Sequence, residues 1–296
     1  MSQTPLSVAL ARRCTRCVTL LLERGADSHG SGVGLGGPLT DAVSNGVQEH
    51  VRLLLARGAD PDGSSGHRPL HMAVFHRDEA VVRLLLEAGA NTKTKDEIDR
   101  TLLHIWCLGG YRPMRSFCRT SSSIAKALID AGAGTSTTDM LRTTGFIMAA
   151  GVGSPSLVQL LIDDGADVNA TNPTRETALM MATERGNADV VRLLIENNAK
   201  VNEADVLHNT ALTMAVRSGV HSVVKILLDA GADVNATDMS HRTALVIAAE
   251  MGRFDIARLL VDRGAGLYMQ GQEEFTRYLR LRIVGPDLAL LCAGNG

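Results

Sequence analysis

The sequence predicts an all-α solenoid, in which short helix-turn-helix pairs are stacked one after another along the chain. A Gly-Ala dipeptide, or a close variant, ends a Leu-rich segment eight times, at Gly25, Gly58, Gly89, Gly132, Gly165, Asn198, Gly231 and Gly264. Five of the seven intervals between these positions are 33 residues, one is 31 and one is 43. A second marker of the type Thr-Pro-Leu or Thr-Ala-Leu lies 21 residues before most of them. A fixed period of this length indicates stacked supersecondary units and not one globular core.

Each period contains the signals of two helices and a polar connection, as the copy from Thr210 to Gly231 illustrates. Thr210 is followed by Ala and Leu, which predicts a helix whose first turn is capped by the threonine hydroxyl. Gly219 then predicts a left-handed cap at the end of this helix. A second, Leu-rich helix follows and ends at Gly231, and the polar residues 233–238 form the connection to the next copy.

With these landmarks the chain resembles the ankyrin repeat family. The stretches from Thr4 to Asp27 and from Thr243 to Ala265 match the Thr-Pro-Leu-His and Gly-Ala-Asp-Val-Asn landmarks of that family. The resemblance covers residues 1–266 as about eight repeats, and it implies helix pairs with hairpin-like fingers and a concave groove that binds other proteins. Residues 267–296 are predicted to form a capping helix and a tail.

Composition narrows the class of protein further. The formal charge is −2, so no basic field favours nucleic acid, and no apolar run approaches the ~20 residues that span a bilayer. Five cysteines, an odd number at irregular spacing, favour a reducing compartment. The sequence therefore predicts a cytoplasmic protein, with the nucleus as the alternative, that needs no cofactor or metal.

Few residues form a pattern that would indicate catalysis or metal binding. Cys14 and Cys17 form a C-x-x-C pair, but no second pair completes a zinc site, and Cys17 lies where other copies place Val or Leu. We therefore expect Cys17 to be a small core residue. The methionines that recur at one register position are also predicted to be core residues; they are Met72, Met148, Met181 and Met214.

One repeat, around residues 98–134, departs from the pattern in two ways. Trp106 occupies a position that holds alanine in the other copies, and ten extra residues lie somewhere within 108–123. Bulk at an alanine position costs about 1–3 kcal/mol unless the surroundings adapt. Two arrangements remain open, because the insertion could fold over Trp106 or Trp106 could face the groove.

The resemblance implies which residues face the groove, at the ends of the first helices and on the fingers. The central part is apolar and aromatic and the distal part is charged, an arrangement typical of binding faces. The predicted partner- or ligand-binding residues are Phe75, His76, Trp106, Leu108, Met140, Leu141, Arg142, Glu184, Arg185, Arg217 and Glu250.

Three functions remain open at this point. The first is a non-catalytic scaffold that binds a protein partner through the groove, and the second is a structural part of a larger array. The third is a pocket for a small apolar ligand at the irregular repeats 3–5, which, if catalytic, would use groups from His71, His76, His104, Tyr111 and Arg112. The resemblance implies a structural role for His71 and His104, which the family bonds to backbone. The oligomeric state is not predicted.

Overall fold

A computed structural model describes residues 4–29, 37–63, 68–108, 122–134 and 145–266. These residues contain sixteen helices and no strand, which confirms the predicted all-α class. The predicted capping helix within 267–296 lies outside the described residues. No helix in the described part of the chain has both the length and the apolar character needed to cross a bilayer.

The helices are seven to nine residues long and are separated by short turns. Their bounds are α1 Pro5–Ala11, α2 Thr15–Glu23, α3 Gly37–Ser44, α4 Gln48–Ala56, α5 Pro69–His76, α6 Glu79–Glu87, α7 Leu102–Leu108, α8 Ser123–Asp130, α9 Gly145–Val152, α10 Pro155–Asp163, α11 Ala178–Glu184, α12 Ala188–Glu196, α13 Ala211–Ser218, α14 His221–Asp229, α15 Ala244–Glu250 and α16 Phe254–Asp262.

The chain divides into two compact units, Met1–Ala149 with Ser156–Ala166 and Ala150–Pro155 with Asp167–Gly296. In the first unit, α1, α3, α5 and α7 pack in one row and α2, α4, α6 and α8 in another. In the second unit, α11, α13 and α15 form one row and α12, α14 and α16 the other. Each helix of these rows therefore packs against its pair partner and against its neighbours in the row, as a stacked array requires.

Local chemistry sets the helix ends where the sequence predicts them. The hydroxyls of Thr4, Thr177, Thr210 and Thr243 accept a hydrogen bond from the backbone N–H three residues later. Every Gly of the Gly-Ala marker has a positive φ, and Asn198, which replaces glycine in one copy, has φ 63°. The turn between the paired helices also uses the left-handed region, where Gly219 has φ 75°.

The core consists mainly of buried Leu, Val and Ala side chains, which come from the helices of both rows. The alanines at the predicted close-packing position, such as Ala73, Ala182 and Ala215, are buried. The methionine prediction was wrong in part, because Met72, Met148, Met181 and Met214 are only half-buried. Two of them, Met72 and Met214, line clefts between a first helix and a finger.

Four fingers in the described part of the chain are hairpins, each closed by one antiparallel bridge, for example between Ala204 and Thr210. At its tip, the Asp205 carboxylate accepts hydrogen bonds from the backbone N–H groups of Leu207 (2.8 Å) and Asn209 (2.7 Å). The side-chain amide of Asn209 adds a third at 2.9 Å. Successive fingers are joined as well, since the Met239 N–H donates to the Leu207 carbonyl at 3.1 Å.

Asp205→Ala should lower the free energy of unfolding by about 2 kcal/mol, because it leaves buried donors of the finger without an acceptor. Urea unfolding followed by circular dichroism measures this change. Asp262→Ala is the matched control, since Asp262 is exposed and forms no hydrogen bond or ion pair with described residues. An Asp205 variant as stable as the control would mean that its hydrogen bonds do not hold the finger.

Candidate functional site

A cleft of about 370 Å³ lies between α5 and the finger that follows α6. This first cleft is lined by Arg68, His71, Met72, Phe75, Asp96, Glu97, Ile98, Arg100 and Ile105. Phe75, Met72 and Ile105 supply apolar surface, and Ile98 on the finger is 49% exposed. The cleft is therefore an apolar hollow with charged side chains at its edge.

The charges at this edge are partly paired. The guanidinium of Arg100 contacts the carboxylate of Asp96 at 2.6 Å, and the backbone N–H groups of Ile98 and Arg100 donate to the same carboxylate. Burial raises the pKa of Asp96, but these hydrogen bonds and the charge of Arg100 outweigh burial, so its pKa is lowered. Arg68 and Glu97 form no ion pair with described residues.

His71 lies beneath this cleft and is 7% exposed. Neither of its ring nitrogens has a hydrogen-bond partner of ordinary geometry among the described residues, and both are shielded from solvent. Burial, with the charge of Arg68, lowers the pKa of His71 to about 4. His71 is therefore a neutral, buried side chain at neutral pH, and its ring nitrogens cannot reach a ligand in this conformation.

His104 occupies the same register position one repeat later and is held differently. The hydroxyl of Thr101 lies 2.7 Å from its Nδ1, and the Thr101 N–H donates to the same atom at 3.3 Å. At the position equivalent to Thr101, the earlier repeat has Arg68, which explains why His71 lacks this partner. His104 is thus bonded within its own repeat, to the hydroxyl and backbone of Thr101, whereas the backbone group that interacts with the His71 ring belongs to Thr94, in the segment that follows α6. The structural role that the resemblance implies for both histidines stays a prediction.

A second cleft, of about 440 Å³, lies at the same register in the second unit, between α13 and the finger that precedes it. It is lined by Glu176, Glu184, Asp205, Leu207, Asn209, Met214, Arg217 and Ser218. Arg217 donates to the side-chain oxygen of Asn209 at 3.0 Å. Three carboxylates face one guanidinium here, so the second cleft carries an excess of negative charge.

The structure brings several of the sequence-predicted residues to these clefts and leaves others apart. Phe75 lines the first cleft, and Glu184 and Arg217 line the second. His76 is exposed and its ring stands edge-on to Phe75, with centroids 5.6 Å apart. Arg185 is exposed beside the second cleft, and Glu250 pairs with Arg242 at 3.2 Å.

Trp106 does not line either cleft. Its side chain is 1% exposed, so the arrangement in which Trp106 lies in an open groove is wrong. The guanidinium of Arg77 lies 5.2 Å from the ring centroid and donates to the Trp106 carbonyl at 3.1 Å. Trp106 is therefore a core residue, and the prediction that it binds a partner is wrong, because it has almost no exposed surface.

Several other predicted residues cannot be placed. Leu108 ends α7, but the position of its side chain is not described. The remaining ones lie outside the described residues: Tyr111, Arg112, Met140, Leu141 and Arg142. The predicted contact between the insertion and Trp106 also lies outside the described residues.

The prediction for Cys17 was wrong. Cys17 is exposed and forms a disulfide with Cys14, whereas its register equivalents Val81, Val190 and Val223 are fully buried. Within the described residues no group of three or more His, Cys, Asp or Glu side chains is arranged to hold a metal ion.

Comparison with models of known protein families identifies the family of this chain. The family model described as ankyrin repeats (3 copies) matches residues 30–96, 113–205, 146–238 and 203–270. A comparison with curated proteins finds no significant match. Because the family matches cover well over half of the 296 residues, the chain belongs to the ankyrin repeat family.

Proposed function

We propose that this chain is a protein-interaction module that binds partner segments in its clefts between the first helices and the fingers. Ankyrin repeats are generally modules of this kind. The observation that carries the proposal is that each unit has a cleft at the same register, lined by residues from a first helix and from a finger. Within each unit, a side chain of a partner segment can enter the cleft between helix and finger.

The two clefts favour different side chains. In the first, Phe75, Met72 and Ile105 offer apolar contact, so an aliphatic or aromatic anchor of the partner fits best. In the second, Glu176, Glu184 and Asp205 outnumber Arg217, so a basic side chain fits beside Leu207 and Met214. The first cleft is therefore expected to take an apolar anchor of a partner, and the second cleft a basic side chain.

Variants of the two clefts test the proposal. Phe75→Ala should weaken partner binding by about 2 kcal/mol, roughly 30-fold in Kd, because central apolar anchors dominate interface energies. We expect a similar result for Leu108→Ala, at the end of α7. Glu184→Ala and Arg217→Ala should cost less and act mainly on the association rate and its salt dependence. Calorimetric titration, with stopped-flow mixing for the rates, measures both.

The partner is first isolated by passing a native cell extract over the immobilised wild-type chain. The same extract is passed in parallel over each immobilised variant. Lys225→Ala is the control, because Lys225 is exposed on α14, in the row of second helices. A protein retained by the wild type and by Lys225→Ala, but lost with Phe75→Ala, supports the proposal. Thermal unfolding of each variant shows whether a loss reflects the cleft or the fold. Equal retention by all the folded variants would exclude the clefts as the binding site.

A further inference from the structure

The start of α2 contains a pair of cysteines that has no role in the proposed protein binding. Cys14 and Cys17 form a disulfide there, with their Cα atoms 5.3 Å apart, in the range in which two cysteines can be bridged. Cys14 is the N-cap of α2, and its Sγ accepts a hydrogen bond from the backbone N–H of Cys17 at 3.4 Å. The pair thus joins the first turn of a helix to its cap.

The two cysteines differ in their exposure to solvent. Cys17 is exposed and Cys14 is half-buried. Cys107, by contrast, is 2% exposed and lies near the Gly145 carbonyl. A thiol in solution can therefore reach the Cys14–Cys17 disulfide at Cys17, and it cannot reach Cys107 without local unfolding.

Three arginines flank the pair in the sequence. Arg12, Arg13 and Arg16 are exposed, and none of them forms an ion pair with a described residue. The first acidic residue in the sequence is Glu23. Arg13 adopts φ 54° in the turn before Cys14, as Arg77 does with φ 58° in its own repeat, but Arg77 is engaged by Trp106. Neighbouring arginines and a helix N-terminus both stabilise a thiolate.

The fold around the pair does not depend on the disulfide. Helix α2 begins with a backbone hydrogen bond from the Val18 N–H to the Cys14 carbonyl, and it packs against α1 and α4. The bridge spans a sequence separation of only three residues, and such a short loop removes little entropy from the unfolded chain. The same turn can therefore hold either the disulfide or two thiols.

We propose that Cys14 and Cys17 form a redox-active site that exchanges with an external dithiol. A thiolate of the dithiol attacks Sγ of Cys17, the Cys14–Cys17 bond breaks, and the electron pair leaves on Sγ of Cys14. The Cys17 N–H and the nearby arginines stabilise this Cys14 thiolate. The second thiol of the donor, as its thiolate, then attacks the donor sulfur of the mixed disulfide and displaces Cys17 as a thiolate. The protein disulfide gains two electrons, and the donor leaves as its own disulfide.

Kinetics of reduction test this site in the full chain, with Cys118 and Cys292 changed to Ser as background. The oxidised protein is mixed with dithiothreitol, quenched with acid and alkylated, and peptide mass spectrometry follows Cys14 and Cys17. Arg12→Gln combined with Arg16→Gln should slow reduction at least threefold and raise the oxidised fraction in a fixed glutathione buffer. Arg24→Gln is the matched control, because Arg24 is exposed at the opposite end of α2, and it should change neither quantity.

Two further variants separate a redox site from a structural bridge. Cys14→Ser should trap several-fold more glutathione as a mixed disulfide than Cys17→Ser, because only the former retains the exposed sulfur. Cys14→Ala with Cys17→Ala should keep the helical circular dichroism signal and unfold within a few degrees of the wild type. The proposal is overturned if the double variant loses its structure, if the disulfide resists excess dithiothreitol in the folded chain, or if the arginine variants react at the wild-type rate.

Discussion

Trp106→Ala should destabilise the chain by about 3–5 kcal/mol, although alanine is the residue that the other repeats hold at this position. Trp106 is 1% exposed and the largest fully buried side chain in the described residues. The neighbouring residues have therefore adapted to an indole, and alanine would leave a cavity that they cannot close completely. Urea unfolding by circular dichroism measures the loss.

Two controls make this result interpretable. Trp106→Phe should cost much less, because it keeps an aromatic ring and removes an indole N–H that has no hydrogen-bond partner among the described residues. Leu20→Ala changes an exposed side chain and should stay within about 0.5 kcal/mol of the wild type.

Fluorescence gives an independent reading, since Trp106 is the sole tryptophan. Its emission in the folded chain should lie at shorter wavelength than in the unfolded chain. Wild-type stability in Trp106→Ala, or folded-state emission like that of the unfolded chain, would contradict the buried placement.

The helices could be predicted from sequence because local chemistry determines their ends. A threonine hydroxyl can cap a helix wherever it occurs, and Gly or Asn tolerates positive φ, so Thr210, Gly219 and Asn198 perform the expected roles. These signals do not depend on a distant part of the chain. Repetition of the same signals at a fixed interval then predicts the stacking.

Burial at individual positions could not be predicted as well, because it depends on neighbouring repeats. Cys17 shares its register with buried valines but is exposed and bonded to Cys14. Met72 and Met214 share the register of Ile105 and Ile247, which are buried, yet they are half-buried and line the clefts. The position of a residue in the repeat predicts the direction in which its side chain points. The neighbouring residues decide how much of that side chain is exposed to solvent.

His71 illustrates how one substitution changes the chemistry of a repeated position. In one repeat, Thr101 lies three residues before His104, and its hydroxyl forms a hydrogen bond with the histidine ring. Arg68 replaces that threonine for His71, and its positive charge, added to burial, disfavours protonation of the ring. The carboxylate of Asp96 and the Thr94 backbone oppose this effect but do not outweigh it.

Acid should therefore destabilise the chain through His71. Its pKa is about 4 in the folded chain and 6.5 as the ordinary value, so below pH 6.5 the unfolded chain binds a proton that the folded chain does not. The contribution of His71 to the free energy of unfolding is therefore fully present above pH 6.5, and it decreases as the pH falls toward 4. The loss between pH 7 and pH 5 should be about 2 kcal/mol.

The difference between the wild type and His71→Gln isolates this contribution from other titrating groups. Burial also lowers the pKa of His50, and paired carboxylates such as Asp238 lose stabilisation in acid, but both are present in the two proteins. Free energies of unfolding measured between pH 4 and pH 8 should therefore fall more steeply for the wild type. His76→Gln is the matched control, because His76 lies on the same helix with its ring exposed to water, and it should follow the wild type. Parallel curves for wild type and His71→Gln, or an NMR titration in which the His71 ring gains its proton near pH 6.5, would show that the ring is hydrated in the folded chain.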